Sequence, residues 1–206
     1  MNKKRDLLIV FAKNLELGKV KTRLAKSIGA AKALEIYTYL LKYTEELSSQ
    51  LDADRAIFYS KWIEAEESRI FKHPSVEQYV QHGEDLGERM YQAIAWGLEQ
   101  GYERVALIGS DCYELELKDL EEAFEALGEH DFVIGPAEDG GYYLIGSSKL
   151  NRAAFEDKEW STDQVFSSTI KSLKEVNSSY HVLTKHSDID YLEDLPSILK
   201  DQFLRN

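Results

Sequence analysis

The amino-acid sequence predicts a layered α/β fold with a mostly parallel β-sheet. Short apolar runs rich in β-branched and aromatic residues recur along the chain, which is typical of strands buried on both faces of such a sheet. Between these runs lie longer segments whose apolar residues follow helical spacing. Strands that alternate with helices in this way indicate crossover connections and therefore parallel strand pairing.

Five segments are predicted as strands, because each is short, apolar and β-rich. The first of them carries no polar side chain over its whole length. Ligands of such sheets bind beyond the carboxyl ends of the strands, so the loops that follow the strands are the first places to search for a site. The predicted strands are 7–12, 56–59, 105–109, 131–135 and 142–146.

Five further segments are predicted as helices. The clearest runs from Ala33 to Leu47, where apolar residues recur at intervals of three and four and form a single stripe. The next begins at Leu86, where Asp85 and Glu88 make a start typical of a capping box. The predicted helices span 33–47, 86–98, 117–127, 162–173 and 190–199.

Composition limits the functions open to this chain. Its 206 residues suffice for one core and show no internal shift in composition, so we expect a single domain over 1–206. The formal net charge of -12 disfavours nucleic acid as a partner. Cys112 is the only cysteine and no run is long enough to span a membrane, so we expect a cytoplasmic protein. Assembly into a homo-oligomer is left open.

A basic loop follows the first predicted strand. Its glycine would let the backbone approach a ligand, and its cations could neutralise phosphate groups. The loop lacks the upstream glycine of a P-loop, and the chain has no Gly-x-Gly-x-x-Gly, so the ATPase and dinucleotide loops are excluded. A solvated basic turn is the alternative. The candidate phosphate-binding residues are Lys13, Gly18, Lys19, Lys21 and Arg23.

A carboxylate stands just beyond the strand 105–109. Ser110 and Asp111 follow the strand, and Mg²⁺ prefers carboxylate and phosphate oxygens together. Asp111 is therefore a candidate ligand for Mg²⁺, or for Mn²⁺ in its place, and Ser110 a candidate nucleotide contact. An aspartate here can equally be a turn former or a helix N-cap. The same alternative applies to the acids around Asp190, which precede a predicted helix.

Two other segments contain unusual residues. Arg89 lies in the segment 83–90 and is not explained by helix capping, so it is a further candidate for phosphate binding. After the strand 131–135, paired glycines suggest backbone that lies against a ligand, with a plain Asp-Gly hairpin turn as the alternative. The candidate acceptor-binding residues of this second segment are Glu138, Asp139, Gly140, Gly141 and Tyr142.

Together these motifs resemble one bacterial family over nearly the full chain. They are Gly-Lys-Val-Lys-Thr-Arg-Leu, Gly-Glu-Asp-Leu-Gly-Glu-Arg-Met, Gly-Ser-Asp-Cys, Gly-Pro-Ala-Glu-Asp-Gly-Gly-Tyr-Tyr, Trp-Ser-Thr and Asp-Ile-Asp-x-x-Glu-Asp-Leu. The family is the group of GT-A-type glycosyltransferases, or selenodomain-associated transferases, within the nucleotide-diphospho-sugar transferase superfamily. Lys-Thr-Arg-Leu is also similar to the phospholactate guanylyltransferases, and Ser-Asp to the molybdenum-cofactor guanylyltransferases.

The resemblance implies a Rossmann-like, three-layer α/β/α sandwich of the GT-A type, with the basic loop around the phosphates. It implies that Asp111 binds the metal. By likeness to sugar-nucleotide synthetases that carry Asp-Thr-Pro-Glu-Asp-Leu, it also implies Asp190 as a second metal ligand, although Tyr191 and Leu192 replace the Thr-Pro here.

These observations predict a metal-dependent transferase that uses a nucleoside triphosphate or a nucleotide sugar and acts on a small-molecule acceptor. Lys19 and Arg23 would stabilise the departing phosphate, and Asp111 would hold the metal. Glycosyl transfer and nucleotidyl transfer both remain open. The alternative is a nucleotide-binding or regulatory module on the same fold that has lost its chemistry.

Overall fold

The structure is a computed structural model that describes residues 6–205, so the basic segment 1–5 lies outside the described residues. Its strands are β1 (Asp6–Ala12), β2 (Asp54–Tyr59), β3 (Glu77–Val80), β4 (Arg104–Ile108), β5 (Phe132–Pro136), β6 (Tyr142–Ser147) and β7 (Tyr180–Val182). They form one sheet in the order β3-β2-β1-β4-β6-β5-β7. Strand β6 runs antiparallel to β4 and β5, whereas the other neighbours pair in parallel. The predicted, mostly parallel sheet is confirmed.

Helices cover both faces of this sheet. They are α1 (Thr22–Ile28), α2 (Ala30–Ser49), α3 (Leu86–Glu99), α4 (Leu117–Ala126), α5 (Val165–Glu175) and α6 (Ser197–Leu204). Side chains of β1 alternate between two cores, because successive residues of a strand point to opposite faces. Leu8 and Val10 pack in one core with α2 and α4, and Leu7 and Ile9 pack in the other with α3 and α5. The architecture is therefore three layers, α/β/α.

All five predicted strands and the first three predicted helices are confirmed, with small shifts at their ends. The pattern missed β3 and β7, the two edge strands of the sheet. Edge strands bury less of their surface, and the sequences Glu-Gln-Tyr-Val and Tyr-His-Val are too short and too polar to stand out as apolar runs.

The prediction of a helix over 190–199 is wrong. Helix α6 begins at Ser197, and its N-cap residue is Pro196. A proline disfavours helical backbone in the residue before it, so the helix cannot extend upstream. The preceding segment forms a turn instead, in which one carboxylate oxygen of Asp194 accepts the N–H groups of Asp190 (2.9 Å) and Tyr191 (2.7 Å). The helix predicted over 162–173 also starts late, at Val165.

Four parts of the chain meet beyond the carboxyl ends of β1 and β4. They are the loops that follow these two strands, the turn between β5 and β6, and the C-terminal segment before α6. The Ile189 N–H donates to the Asp111 carbonyl (3.1 Å), which fastens the C-terminal segment to the loop after β4. The Phe166 N–H donates to the Gly140 carbonyl (2.9 Å), which fastens the start of α5 to the β5–β6 turn.

Candidate active site

A polar cavity of about 390 Å³ opens at this edge of the sheet. One wall, the charged wall, comes from the loops after β1 and β4 and from the C-terminal segment. The other wall, the aromatic wall, comes from the β5–β6 turn, the loop before α5 and the first residues of α3 and α5. The charged wall consists of Lys13, Lys21, Thr22, Arg23, Asp111, Asp188 and Asp190. The aromatic wall consists of Leu86, Asp139, Gly141, Tyr142, Trp160, Ser161, Thr162 and Val165.

The ammonium group of Lys21 is the centre of the charged wall. Its Nζ lies 2.8 Å from Oδ2 of Asp111 and 3.2 Å from Oδ1 of Asp190. The Lys21 side chain is only 4% exposed, whereas the two carboxylates are 35% and 34% exposed and so remain open to the cavity. Arg23 contacts the other oxygen of Asp190 at 2.9 Å. One cation thus bridges the two carboxylates that the sequence singled out.

Lys21 and Asp111 each stabilise the ionised form of the other. Burial opposes ionisation of Asp111, but the neighbouring Lys21 ammonium outweighs it and holds the pKa of Asp111 below its ordinary value. Burial alone would lower the pKa of Lys21, but Asp111 and Asp190 raise it above its ordinary value. Lys21 is therefore a permanent cation, and Asp111 a permanent anion, across the physiological range.

A buried tyrosine holds the two loops of the charged wall in register. The Tyr37 hydroxyl, from α2, accepts the N–H of Lys13 at 2.8 Å and shares a hydrogen bond of 3.0 Å with the Ser110 hydroxyl. Burial raises the pKa of Tyr37 to about 12, so the phenol stays protonated.

The backbone of Lys21 is left-handed (φ 44°). This conformation costs energy for a residue other than glycine and often occurs at functional sites.

Asp188 is a third carboxylate of the charged wall. One of its oxygens, Oδ1, is buried and has no hydrogen-bond partner among residues 6–205. Burial and the nearby charge of Asp111 raise the pKa of Asp188 above its ordinary value. A buried carboxylate oxygen without a partner is costly, and a bound cation or donor would relieve that cost.

The aromatic wall is built on close packing around Trp160. Gly87 lies in the first turn of α3, and a Cβ on it would come within 2.3 Å of the Trp160 ring and of the Phe155 carbonyl. Tyr142 meets Trp160 edge to face, with ring centroids 6.5 Å apart. Ser161, the next residue, has a left-handed backbone (φ 67°). The Trp160 indole is thus packed closely against Gly87 and Tyr142, which fix its position.

A smaller cavity of about 290 Å³ adjoins the first. Its lining includes Phe11, Ser60, Gln81, Arg89 and Ser110. Four residues line both cavities, namely Lys13, Lys21, Leu86 and Asp111. The charged groups therefore lie at the junction of two compartments, and one elongated molecule could occupy both.

The structure brings most of the predicted site residues together. Eight of them line the main cavity: Lys13, Lys21, Arg23, Asp111, Asp139, Gly141, Tyr142 and Asp190. Ser110 and Arg89 line only the adjoining cavity, and the Arg89 Nε donates to the Gly83 carbonyl at 3.0 Å.

Four predicted residues line neither cavity. Gly18 and Lys19 lie on an exposed turn closed by the Lys19 N–H donating to the Glu16 carbonyl. Glu138 is exposed and pairs with Lys185 at 2.7 Å. Gly140 has a positive φ of 88°, and a Cβ there would lie 2.3 Å from the Asp163 carbonyl oxygen, so its place in the turn is structural. We therefore assign none of the four a direct role.

The positions of α4 and α6 exclude helix capping as the role of Asp111 and Asp190. The N-cap of α4 is Glu116, so Asp111 does not cap a helix, and α6 begins too late for Asp190 to cap it. The β5–β6 connection is a hairpin turn, as its Asp-Gly signal allows, and it also contributes to the cavity. Cys112 is buried, and burial raises the pKa of its thiol, which agrees with a packing role.

Asp111, Asp188 and Asp190 are the residues that could hold a divalent cation. Their hard carboxylate oxygens match the preference of Mg²⁺ and Mn²⁺. Within residues 6–205, however, no three acidic, histidine or cysteine side chains already meet the geometry of a metal site. The Lys21 ammonium separates Asp111 from Asp190 instead, and a cation bound between them would have to share or displace it.

Comparison with known proteins places the chain in a family. A family model described as "uncharacterized protein conserved in bacteria (DUF2064)" matches residues 43–162. The chain belongs to this family. The search of curated proteins found no match to this chain.

Solved structures share the fold of this DUF2064 protein. A candidate nucleotide-diphospho-sugar transferase from Desulfovibrio desulfuricans G20 is 32% identical, with a TM-score of 0.85 over 91% of this chain and 83% of that chain. The inositol-1-phosphate CTP transferase from T. maritima is 13% identical, with a TM-score of 0.60 over 96% and 94%. The 4-diphosphocytidyl-2C-methyl-D-erythritol synthase from Anaerococcus prevotii DSM 20548 is 12% identical, with a TM-score of 0.59 over 97% and 96%.

These likenesses confirm the predicted nucleotide-diphospho-sugar transferase-like fold. The narrower selenodomain-associated group and the two guanylyltransferase families stay predictions. No helix among residues 6–205 is long and apolar enough to cross a membrane.

Several cavity residues of this DUF2064 protein have no role assigned from the sequence. Asp188 is one of the acids around Asp190 that helix capping would explain from the sequence, although its spacing of two from Asp190 is a usable signal. Trp160 stood in the motif Trp-Ser-Thr without an assigned role. Leu86 and Val165 carry no chemical signal in the sequence, because they reach the cavity only through the packing of α3 and α5.

Proposed function

We propose that this DUF2064 protein is a metal-dependent transferase that uses a nucleotide as donor, transferring either a nucleotidyl or a glycosyl group to a small acceptor. The observation that carries the proposal is the position of Lys13, Lys21 and Asp111 at the junction of two adjoining cavities. The nucleoside of a donor would bind in the smaller cavity, and its phosphates would bind at the junction beside Lys13 and Lys21. The group to be transferred would then face the aromatic wall.

The cations of the charged wall suit a polyphosphate. Lys13 and Arg23 are exposed to the cavity, and Lys21 is held as a buried, permanent cation at its centre. Fixed cations act where negative charge builds on a departing phosphate, and they need no reorganisation during the reaction. We therefore assign Lys13, Lys21 and Arg23 to phosphate binding and to stabilisation of the leaving group.

Asp111 and Asp190 would hold Mg²⁺ or Mn²⁺ beside those phosphates. The metal, when bound, would neutralise phosphate oxygens and help to align the donor. Asp111 is well placed to do so, because its carboxylate is kept ionised and its backbone is fixed by the C-terminal segment through the Ile189 N–H. Ser110 holds this loop to Tyr37 through its hydroxyl.

The related structures support a nucleotide donor without deciding which bond is broken. The 32% identical relative is described as a candidate nucleotide-diphospho-sugar transferase, and the more distant T. maritima protein as a CTP transferase. The two possibilities differ in their donor. A triphosphate donor would release pyrophosphate, and a nucleotide sugar would release a nucleoside diphosphate.

Calorimetric titration tests this proposal. Each nucleoside triphosphate and a set of nucleotide sugars are titrated into the protein with Mg²⁺ and with EDTA. We expect Mg²⁺-dependent binding of one class, and the preferred class identifies the transfer reaction. If neither class binds, the proposal is wrong. Release of pyrophosphate or nucleoside diphosphate with an added acceptor mixture then separates an enzyme from a module that only binds nucleotides.

A further inference from the structure

The two walls of the main cavity differ in charge. Every cation that lines the cavity within residues 6–205 belongs to the charged wall, whereas the aromatic wall carries one ionisable carboxylate, Asp139, and no cation. Two of the three cations are also engaged, since Lys21 and Arg23 contact the carboxylates of Asp111 and Asp190. A negatively charged group at the aromatic wall would therefore face Asp139 with no cation of that wall to offset the repulsion.

Asp139 is held in the cavity by its own turn. Its Oδ1 accepts the N–H of Gly141 at 2.9 Å, which fixes the carboxylate at the tip of the β5–β6 hairpin. Its carboxylate therefore places a negative potential at this point of the aromatic wall. An anionic ligand such as a phosphate monoester would need a cation at this point to offset that potential.

The remaining groups of the aromatic wall suit a hydroxylated ring. Trp160 offers the face or edge of a large apolar ring that Gly87 and Tyr142 hold in place. The C–H faces of a sugar or cyclic polyol can pack on such a ring, while its hydroxyls hydrogen-bond to nearby oxygens. Ser161, Thr162 and the Asp139 carboxylate supply those oxygens in the same wall.

Resting on the proposed function, we propose that the aromatic wall binds an uncharged, hydroxyl-rich ring compound, a sugar or cyclic polyol without a phosphate group. Trp160 packs against the ring, and Asp139 accepts its hydroxyls and rejects phosphorylated analogues. The ring has two possible sources, a free acceptor or the sugar of a nucleotide-sugar donor. Both present the same chemistry to this wall.

Matched pairs of ligands test this inference. Glucose, N-acetylglucosamine and myo-inositol are each compared with a phosphate monoester of the same compound by saturation-transfer NMR, with nucleoside diphosphate and Mg²⁺ present. In a second arm, UDP-glucose is compared with UDP by calorimetry. We expect at least one neutral ring to bind about tenfold or more tightly than its phosphate ester, or UDP-glucose to bind more tightly than UDP.

Three variants of the aromatic wall and one control outside it connect the result to this wall. Trp160→Ala should weaken binding of the neutral ring, Trp160→Phe should keep part of it, and Trp62→Ala, outside both cavities, should change nothing. Asp139→Lys should improve binding of the phosphate esters about tenfold or more, a gain that misfolding cannot produce.

The inference is overturned if phosphate esters bind the unmodified protein as well as the neutral rings, or if the neutral rings and the UDP-glucose sugar add no binding. It is also overturned if Trp160→Ala leaves both arms unchanged. Nucleotide binding is measured separately. Its loss would defeat the proposed function, whereas intact nucleotide binding with a preference for phosphate esters would defeat only this inference.

Discussion

Replacement of Lys21 by methionine removes the ammonium that bridges Asp111 and Asp190. Removing one partner of a fully buried ion pair costs about 3–5 kcal/mol, because the other partner is left without compensation. The two carboxylates here are about one-third exposed, so water recovers part of that cost. We therefore expect Lys21→Met to lower the free energy of unfolding by about 2–3 kcal/mol. Methionine carries the same backbone cost at φ 44° as lysine, so the charge is the main change.

Urea unfolding and thermal melts measure this effect. For a chain of this length, such a loss corresponds to a fall in Tm of about 5–10 °C. Lys118→Met is a suitable control, because Lys118 and its partner Glu116 are both exposed, and it should leave the Tm unchanged.

Magnesium distinguishes this explanation from a general packing defect. Without the ammonium, Asp111 and the Asp190 oxygen that faced Lys21 can bind Mg²⁺, which would restore the missing positive charge, while Arg23 keeps its contact with the other Asp190 oxygen. We expect millimolar Mg²⁺ to raise the Tm of Lys21→Met more than that of the unmodified protein. Equal stability of Lys21→Met and Lys118→Met, or equal stabilisation of Lys21→Met and the unmodified protein by Mg²⁺, would contradict the role assigned to the Lys21 ammonium.

Three further predictions concern the scaffold of the site. Tyr37→Phe should cost about 1–2 kcal/mol in urea unfolding, because the Lys13 N–H and the Ser110 hydroxyl lose a buried partner; an unchanged midpoint would argue against that role. Gly87→Ala should lower the free energy of unfolding by about 1–3 kcal/mol, because its Cβ would collide with Trp160. Gly18→Ala is the control: its Cβ would meet no atom within 4 Å, so it should cost only about 1 kcal/mol for its positive φ. Urea unfolding measures both, and equal costs would contradict the collision with Trp160. The Cys112 thiol should resist Ellman's reagent until the chain unfolds, because burial raises its pKa, and rapid reaction of the native protein would contradict this.

The interior of the fold was predictable from the sequence because its signals are local. Strand β1 is apolar from Leu7 to Ala12, and the apolar stripe of α2 repeats over several turns. The failures occur where tertiary contacts or turn chemistry decide the structure. Strands β3 and β7 pair only at the edges of the sheet, and Pro196 with the Asp194 turn overrides the weak helical pattern before α6.

The charged wall of the site was largely predictable, and the aromatic wall was not. Lys21 and Asp111 follow β1 and β4, neighbouring parallel strands, so their loops had to meet at one edge. Their direct contact, with Lys21 buried between two carboxylates, depends on side-chain packing that no local pattern reveals. Trp160 reaches the cavity only because Gly87 leaves room behind it, a relation between residues far apart in the chain.

The Mg²⁺ dependence of nucleotide affinity tests whether Asp111 belongs to a metal-dependent nucleotide site. The preferred nucleotide is titrated with and without Mg²⁺ into the unmodified protein, into Asp111→Asn, and into Asp201→Asn as a surface control. Asp111→Asn should reduce the Mg²⁺-dependent gain in affinity by at least about tenfold, and Asp201→Asn should leave it intact. Equal Mg²⁺ dependence in all three proteins would contradict the role assigned to Asp111.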